Sequence, residues 1–266
     1  MPSKLDRIIA ATRSRLSETK PQSDLRILEQ RAAAHRPRGF RNHLKHVGSS
    51  GPAIIAELKK ASPSKGLIRA DFPVAELASE LEHAGAAALS VLTDRPYFQG
   101  SLANLQAASE ATSLPCLRKD FIVDEFQLVE ARAHGADAVL LIVAALSQAD
   151  LTDLSRRAKA LELDVLCEVH DRDELQRALD AGFDTVAVNN RNLHTFRVDL
   201  NTSLELAGLM PEAILKVAES GIETAEDIAR LRAVGFGAFL IGETLMRASH
   251  PGEALSTLLS QTAAAV

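Results

Sequence analysis

From residue 53 onward the chain alternates short apolar runs with longer amphipathic segments. The phrases HAGAAALSVLTD, AHGADAVLLIVAA, DAGFDTVAVNNRN and AVGFGAFLIGETL each read as a helix end, a glycine, two or three linking residues, an apolar strand and a polar tip. Their glycines, Gly85, Gly135, Gly182 and Gly235, recur at intervals of 50, 47 and 53 residues, too long for one strand and one helix. Between them lie three further apolar runs, LPCLRKDF, LDVLCEVHD and AILKVAESGI, so each interval holds two strand-helix units. Counting from AIIAELKKASPSKG at residues 53–66 gives eight strands. Glycine after a helix suits the left-handed position that ends it, and strands without polar alternation suit a parallel sheet covered by helices. The pattern predicts an α/β chain folded as a (βα)8 TIM barrel, with a doubly wound open sheet as the alternative. No GxGxxG follows the first strand, which takes support from a dinucleotide-binding version of the open sheet.

The first fifty residues read differently. Residues 4–18 place Leu5, Ile8, Ile9 and Leu16 on one helical stripe, and a second short helix begins near Phe40. The stretch 20–38 is polar and punctuated by Pro21 and Pro37, which predicts a loosely held segment. The expected organisation is one domain, 1–266, made of an N-terminal helical extension (1–50) and the barrel (51–266).

Composition narrows the function classes. A net charge of -5 leaves no basic footprint for nucleic acid, although the first fifty residues are locally basic. No apolar run is long enough to span a bilayer, and the N-terminus lacks the apolar core of a signal peptide. A cytoplasmic protein with neither nucleic-acid nor membrane partner is expected. Cys116 and Cys167 both fall within predicted strands and have no metal-ligand spacing, so they read as reduced core residues.

Candidate chemistry gathers at the strand tips. Side chains alternate along a strand, so Ile55, Glu57 and Lys59 share one face of the first strand. The other tips are Thr93/Asp94, Lys119/Asp120, Glu168/His170, Asn189/Arg191, Glu219/Ser220 and Gly242/Glu243, while the fourth, LLIV, is apolar. A salt bridge closing one strand would be ordinary, but acids and bases at several tips of one barrel end point to an enzyme. By parity Lys119 joins Leu117 and Phe121, and Glu168 joins Leu166 and His170. Crowding of these groups either moves their pKa values toward neutrality or pins them as ion pairs, and the sequence leaves both open. Two lysines and two glutamates suit a reaction that needs both proton donation and proton removal. His170 is a candidate proton carrier, against the commoner part of a hydrogen-bonding loop residue. At the last two tips Ser220, Gly221 and Gly242, with Thr224 as a helix N-cap, read as a phosphate pocket rather than as simple turns.

In this order and spacing AELKKASPSKG, LRKDFIVDEFQ, VLLIV, CEVHD, VNNRNL, AESGI and LIGETLMR resemble the indole-3-glycerol phosphate synthase family of tryptophan biosynthesis. The resemblance spans the whole chain. It implies conversion of a small phosphorylated substrate, 1-(2-carboxyphenylamino)-1-deoxyribulose 5-phosphate, into indole-3-glycerol phosphate, carbon dioxide and water, with no metal or organic cofactor. It also implies a monomer, associating at most weakly with other pathway enzymes.

The resemblance makes Lys119 the general acid for ring closure and Glu168 the base for dehydration. Lys59 would hold the substrate carboxylate or serve as an alternative acid, and Glu57 would orient it or join in dehydration. Ser62, Asn189 and Arg191 would engage carboxylate and hydroxyls, with Glu219 paired to a catalytic lysine. Phe98, Phe121, Leu140, Ile142 and Leu193 would form the slot for the aromatic ring, and Ser220, Gly221, Gly242 and Glu243 would hold phosphate. Many members of the family carry Ser where this chain has Glu243. A carboxylate cannot donate to phosphate, so only its backbone N–H would serve and its side chain must turn away. The chain has no Trp, so any aromatic that the family's extension offers to the ligand is expected to be either missing here or replaced, with Phe40 as the candidate replacement. Three rivals remain: a Schiff-base aldolase using Lys119 as nucleophile, a phosphoribosylanthranilate isomerase, for which a Cys/Asp pair is expected instead of Glu57 and Lys59, and a non-enzymatic binding barrel.

Overall fold

The computed structural model describes residues 3–192 and 195–264. Eight parallel strands, β1 (Ala53–Leu58), β2 (Ala88–Leu92), β3 (Cys116–Lys119), β4 (Ala138–Ile142), β5 (Asp164–Val169), β6 (Thr185–Asn189), β7 (Leu215–Glu219) and β8 (Ala238–Ile241), pair in sequence order. β8 returns to β1 and closes the barrel, which decides against the open sheet. The four marker glycines all follow helices with φ between 77° and 96°, the left-handed geometry expected of them.

Both faces of each strand are buried, which is why the strands read as unbroken apolar runs. Ile55, Leu117, Leu140, Leu166, Ala187, Val217 and Leu240 fill the barrel interior. Ile54, Val91, Val139, Cys167, Val186 and Phe239 pack outward against the helices. Register then sets the height of the polar tips: Leu92 pairs with Lys119, Ile142 with Glu168, and Asn189 with Glu219. One residue of slip would turn the tip residues outward.

Among the described residues the extension forms three α-helices, α1 (Lys4–Thr19), α2 (Leu25–Ala34) and α3 (Phe40–Gly48), with a short 3-10 turn, Lys20–Gln22, after the first. The expectation of a loosely held segment over 20–38 is overturned by α2. Asp24 caps it, and Leu28 and Ala32 bury one face against Val129 and Ala133 of the helix Glu125–Ala133. Arg132 secures its end by donating to the carbonyls of Ala32 and His35. The helix was obscured by the flanking prolines, both of which lie outside it.

α3 closes the N-terminal end of the barrel. Phe40 and Leu44 are fully buried among Ala53, Ala138, Ala238 and other interior residues. Phe40 is therefore a plug at the end opposite the polar tips, and the expectation that it offers an aromatic face to a ligand is corrected. Beside it the buried carboxylate of Asp137 accepts from the Arg38 backbone N–H at 2.7 Å, Arg38 Nε at 2.9 Å and the Cys116 N–H at 2.6 Å, with His35 Nε2 at 3.1 Å. Cys116 and Cys167 are buried and unpaired, and burial pushes the Cys116 thiol up to about 12.

Candidate active site

Parity delivers the inward-facing groups to one mouth. At the C-terminal end of the barrel lies a cavity of about 500 Å³. Its lining includes Glu57, Lys59, Ser62, Phe98, Lys119, Phe121, Leu140, Ile142, Glu168, Asn189, Arg191, Glu219, Ser220, Gly221, Gly242 and Glu243. Phe40 aside, every residue to which the resemblance gives a part is there except Leu193, which lies outside the described residues. Asp94 and Asp120 line it too, whereas Thr93 turns outward and donates to Asp120 at 2.6 Å. Asp120 is held in turn by Arg118 at 2.9 Å, so this outer cluster fixes the end of β3 and with it the direction of Lys119.

The charges form a chain across the mouth. Glu57 bridges both lysines, with Oε1 2.5 Å from Lys59 Nζ and Oε2 3.7 Å from Lys119 Nζ. Lys119 also binds Glu219. Burial alone would raise the pKa of Glu57, but the two ammonium groups outweigh it and hold the carboxyl below its ordinary range. Burial would likewise depress Lys119, yet Glu219, Glu57 and Glu168 keep it above the ordinary lysine value. Glu219 goes the other way. Burial and the nearby Glu168 charge lift it to about 8 in spite of Lys119, and its Oε1 is buried without a partner. The alternatives left open by the sequence thus divide: ion pairing governs Glu57 and Lys119, and a shift toward neutrality governs Glu219.

Glu168 has its own setting. Asn189 Nδ2 donates to Oε1 at 3.0 Å, and Asn189 Oδ1 accepts the Arg191 backbone N–H at 3.0 Å, so Asn189 is fixed from both sides. His170 Nε2 also lies 3.0 Å from Oε1. Burial opposes ionisation, but His170, Lys119 and Asn189 overcome it and bring Glu168 down to about 2.

Above these groups Phe98 and Phe121 face each other at 6.4 Å between ring centroids, tilted by 38°, with Leu140 and Ile142 below. This is an apolar wall of the size of an aromatic ring. On the opposite side Ser220 and Gly221 take successive positive φ values of 67° and 75°, and a Cβ on Gly221 would stand 2.2 Å from Val198 Cγ1. Strain of this kind at Ser220 costs on the order of 1–3 kcal/mol and gathers at ligand sites. Thr224 caps the helix Ala225–Ala233 as expected, in a reciprocal box with Asp227 that occupies the N–H groups of Thr224 and Asp227. Gly242 has a reason of its own: a Cβ there would stand 2.4 Å from Glu57 Oε1 and 2.9 Å from Glu57 Cβ. The Glu243 side chain faces three cations, Arg247 at 3.0 Å and the cavity-lining Lys65 at 3.8 Å and Arg191 at 4.0 Å.

The extension completes the wall. Lys4, Leu5 and Ile8 of α1 line the cavity together with Phe196, over whose ring Lys4 Nζ stands at 4.4 Å. Arg15 reaches the buried Asp94 at 3.0 Å, and Lys20 reaches Asp124 at 2.9 Å. Sequence reasoning gave these residues no part in the site. The stripe of Leu5 and Ile8 showed that a face was buried but not against what.

A closed (βα)8 barrel whose mouth gathers Lys59, Lys119, Glu57, Glu168 and Glu219 beside an apolar slot defines an acid-base enzyme. The chain belongs to the indole-3-glycerol phosphate synthase family, whose family model matches residues 5–258. It is 60% identical over 259 residues to the indole-3-glycerol phosphate synthase of Koribacter versatilis strain Ellin345, covering 97% of this chain and 100% of that one. Against the indole-3-glycerol phosphate synthase of Leptothrix cholodnii it is 48% identical over 258 residues, covering 96% and 98%. Among solved structures, 3-hexulose-6-phosphate synthase superposes with a TM-score of 0.62 at 16% identity, over 79% of this chain and 99% of that one. Thiamine phosphate pyrophosphorylase from Pyrococcus furiosus gives 0.60 at 16%, over 81% and 96%. At such identities these two likenesses speak for the fold alone. No helix among the described residues is long and apolar enough to cross a membrane.

Proposed function

We propose that this mouth closes, decarboxylates and dehydrates 1-(2-carboxyphenylamino)-1-deoxyribulose 5-phosphate to indole-3-glycerol phosphate, carbon dioxide and water, with the residues in the following roles. The aromatic ring enters the slot of Phe98, Phe121, Leu140 and Ile142. Lys119, kept as an ammonium by Glu57 and directed by its hydrogen bond to Glu219, protonates the sugar carbonyl as the ring carbon bearing the carboxylate attacks it. Loss of carbon dioxide restores the aromatic ring. Glu168, ionised and held by Asn189, takes a proton from the neighbouring carbon of the new ring, while the hydroxyl takes a proton from the Lys59 ammonium and leaves as water.

Lys59 and Ser62 hold the substrate carboxylate and Arg191 its hydroxyls. Glu57 keeps both lysines charged and in register. The phosphate rests on the backbone of Ser220, Gly221, Gly242 and Glu243, with Lys65 and Arg191 near enough to balance its charge. The observation that carries this reading is the single chain Lys59, Glu57, Lys119, Glu219 beside an independently held Glu168. It supplies a protonated donor and an ionised base in one cavity.

The test is the appearance of indole fluorescence from this substrate, which no Trp in the chain obscures. Wild type should form the product, and Lys119→Ala should lose about 10²–10⁴-fold in kcat. Absence of product from folded wild type would overturn the reading. Equal rates in wild type and Lys119→Ala would move the acid to Lys59.

A further inference from the structure

His170 carries more than its place at a strand tip requires. Its two ring nitrogens each face a carboxylate: Nδ1 is 2.9 Å from Glu174 Oε2, and Nε2 is 3.0 Å from Glu168 Oε1. The ring is nearly buried, with 10% of its side chain exposed. A neutral imidazole has one N–H and one lone pair, so one of the two carboxylates would face a lone pair at under 3.1 Å. Only the imidazolium suits both. The contact to Glu168 lies off the line of a directed hydrogen bond, so its content is charge.

Glu174 is itself built in. It sits in the first turn of the helix Arg172–Asp180, donates its own backbone N–H to Asp171 at 2.9 Å, and accepts the backbone N–H of His170 at 2.9 Å. Arg177, one turn further on, is turned to the carbonyls of Val143 and Leu146 and does not compete for Glu174. The ionisable groups facing the His170 ring are therefore Glu168 and Glu174. Those facing Glu168 are His170, Lys119 on β3 and Glu219 on β7.

We propose that His170 is a positioning residue for the dehydration base: held as an imidazolium by Glu174, it keeps Glu168 ionised and turns that carboxylate's second oxygen toward the substrate. Asn189 and His170 both contact Oε1, which leaves Oε2 for the substrate proton. This rests on Glu168 being the base. The directions agree with the geometry. Burial would lower His170 but the two carboxylates raise it to about 10, while Glu168 is brought down to about 2. Without the imidazolium, burial and Glu219 would push Glu168 upward into the working range.

The test joins kinetics to a direct reading of the ring. Histidine ring NMR should find His170 protonated at pH 8 in wild type and titrating nearer neutrality in Glu174→Gln. The acid limb of kcat should move up by about one pH unit in Glu174→Gln and further in His170→Asn. KM should change less than kcat. His170→Asn keeps a polar side chain but no charge, so it should not rescue the profile. A ring neutral at pH 7 in wild type would overturn the inference, as would an unmoved acid limb in both folded variants. Glu174→Gln keeps the shape of its side chain and serves if His170→Asn fails to fold. Were wild type to make no indole product, the proposed reaction would fall, and the ring titration would still decide the state of His170.

Discussion

The two ends of the barrel bury charge for opposite purposes. At the N-terminal end Asp137 is fully buried and surrounded by donors, two from Arg38, one from the Cys116 backbone, and the ring of His35. At the C-terminal end the carboxylates share too few cations. Glu57 divides itself between two lysines, Glu219 is lifted to about 8 with an oxygen unpartnered, and Ser220 holds a strained backbone. Satisfied charge at one end stabilises the fold. Incompletely satisfied charge at the other is what a ligand can complete.

Substitutions that separate the two ends sharpen this contrast. The largest effect should come from Glu57→Gln, which takes the shared partner from both lysines. We expect kcat to fall by about 10²–10⁴-fold, read by product fluorescence, with thermal stability changed less than by any break at the other end. Gly242→Ala should follow. Its new methyl would stand 2.4 Å from Glu57 Oε1, so the carboxylate must move by about 1 Å, and a misplacement of that size costs about 10²-fold in rate with little change in secondary structure by circular dichroism.

Breaking the opposite end should do the reverse. Arg38→Ala strips Asp137 of its guanidinium and should cost about 3 kcal/mol in urea unfolding while leaving kcat of the folded enzyme unchanged. A fall in kcat comparable with that of Glu57→Gln would dissolve the distinction between the ends. The pH dependence has a definite sign. Burial would raise Asp137, but His35, Arg38 and the Cys116 N–H bring it below the ordinary value. Its contribution is therefore complete above about pH 4 and is lost as pH falls through the lower folded pKa. Arg38→Ala should lose melting temperature at a higher pH than wild type does.

The smallest effect belongs to Arg15→Ala. The arginine side chain is 36% exposed, and its bridge to Asp94 should be worth less than about 1 kcal/mol. Its readout is KM, which should rise if α1 loosens over the cavity.

Much of this was legible because a strand has a period of two. Placing Glu57 beside Ile55, Lys119 beside Leu117 and Glu168 beside Leu166 on the inner face needed only alternation, and the interior cluster contains those three apolar partners. Partnership across strands was not legible. Glu57 meeting both lysines, and Lys119 meeting Glu219 at a separation of 100 residues, depend on closure and register, which no local pattern encodes. Phe40 was misplaced for the same reason: an aromatic residue at a helix start shows that it will be buried, not at which end of the barrel. α2 was hidden because the prolines at its margins signal a loop more strongly than the helix formers between them signal a helix.

The plug formed by α3 also bears on the order in which the molecule can assemble. Phe40 and Leu44 are seated among residues of β1, β4 and β8, and a Cβ on Gly48 would stand 3.0 Å from the Gly237 carbonyl at the entry to β8. During synthesis the stopper thus exists long before the opening it fills. An amphipathic helix must wait, its apolar face unseated, until the last strand arrives, and contacts so distant in sequence form slowly. Closing the barrel and sealing its floor are therefore one late event, and any delay in making β8 prolongs the exposure of Phe40 and Leu44 on a mostly polar segment.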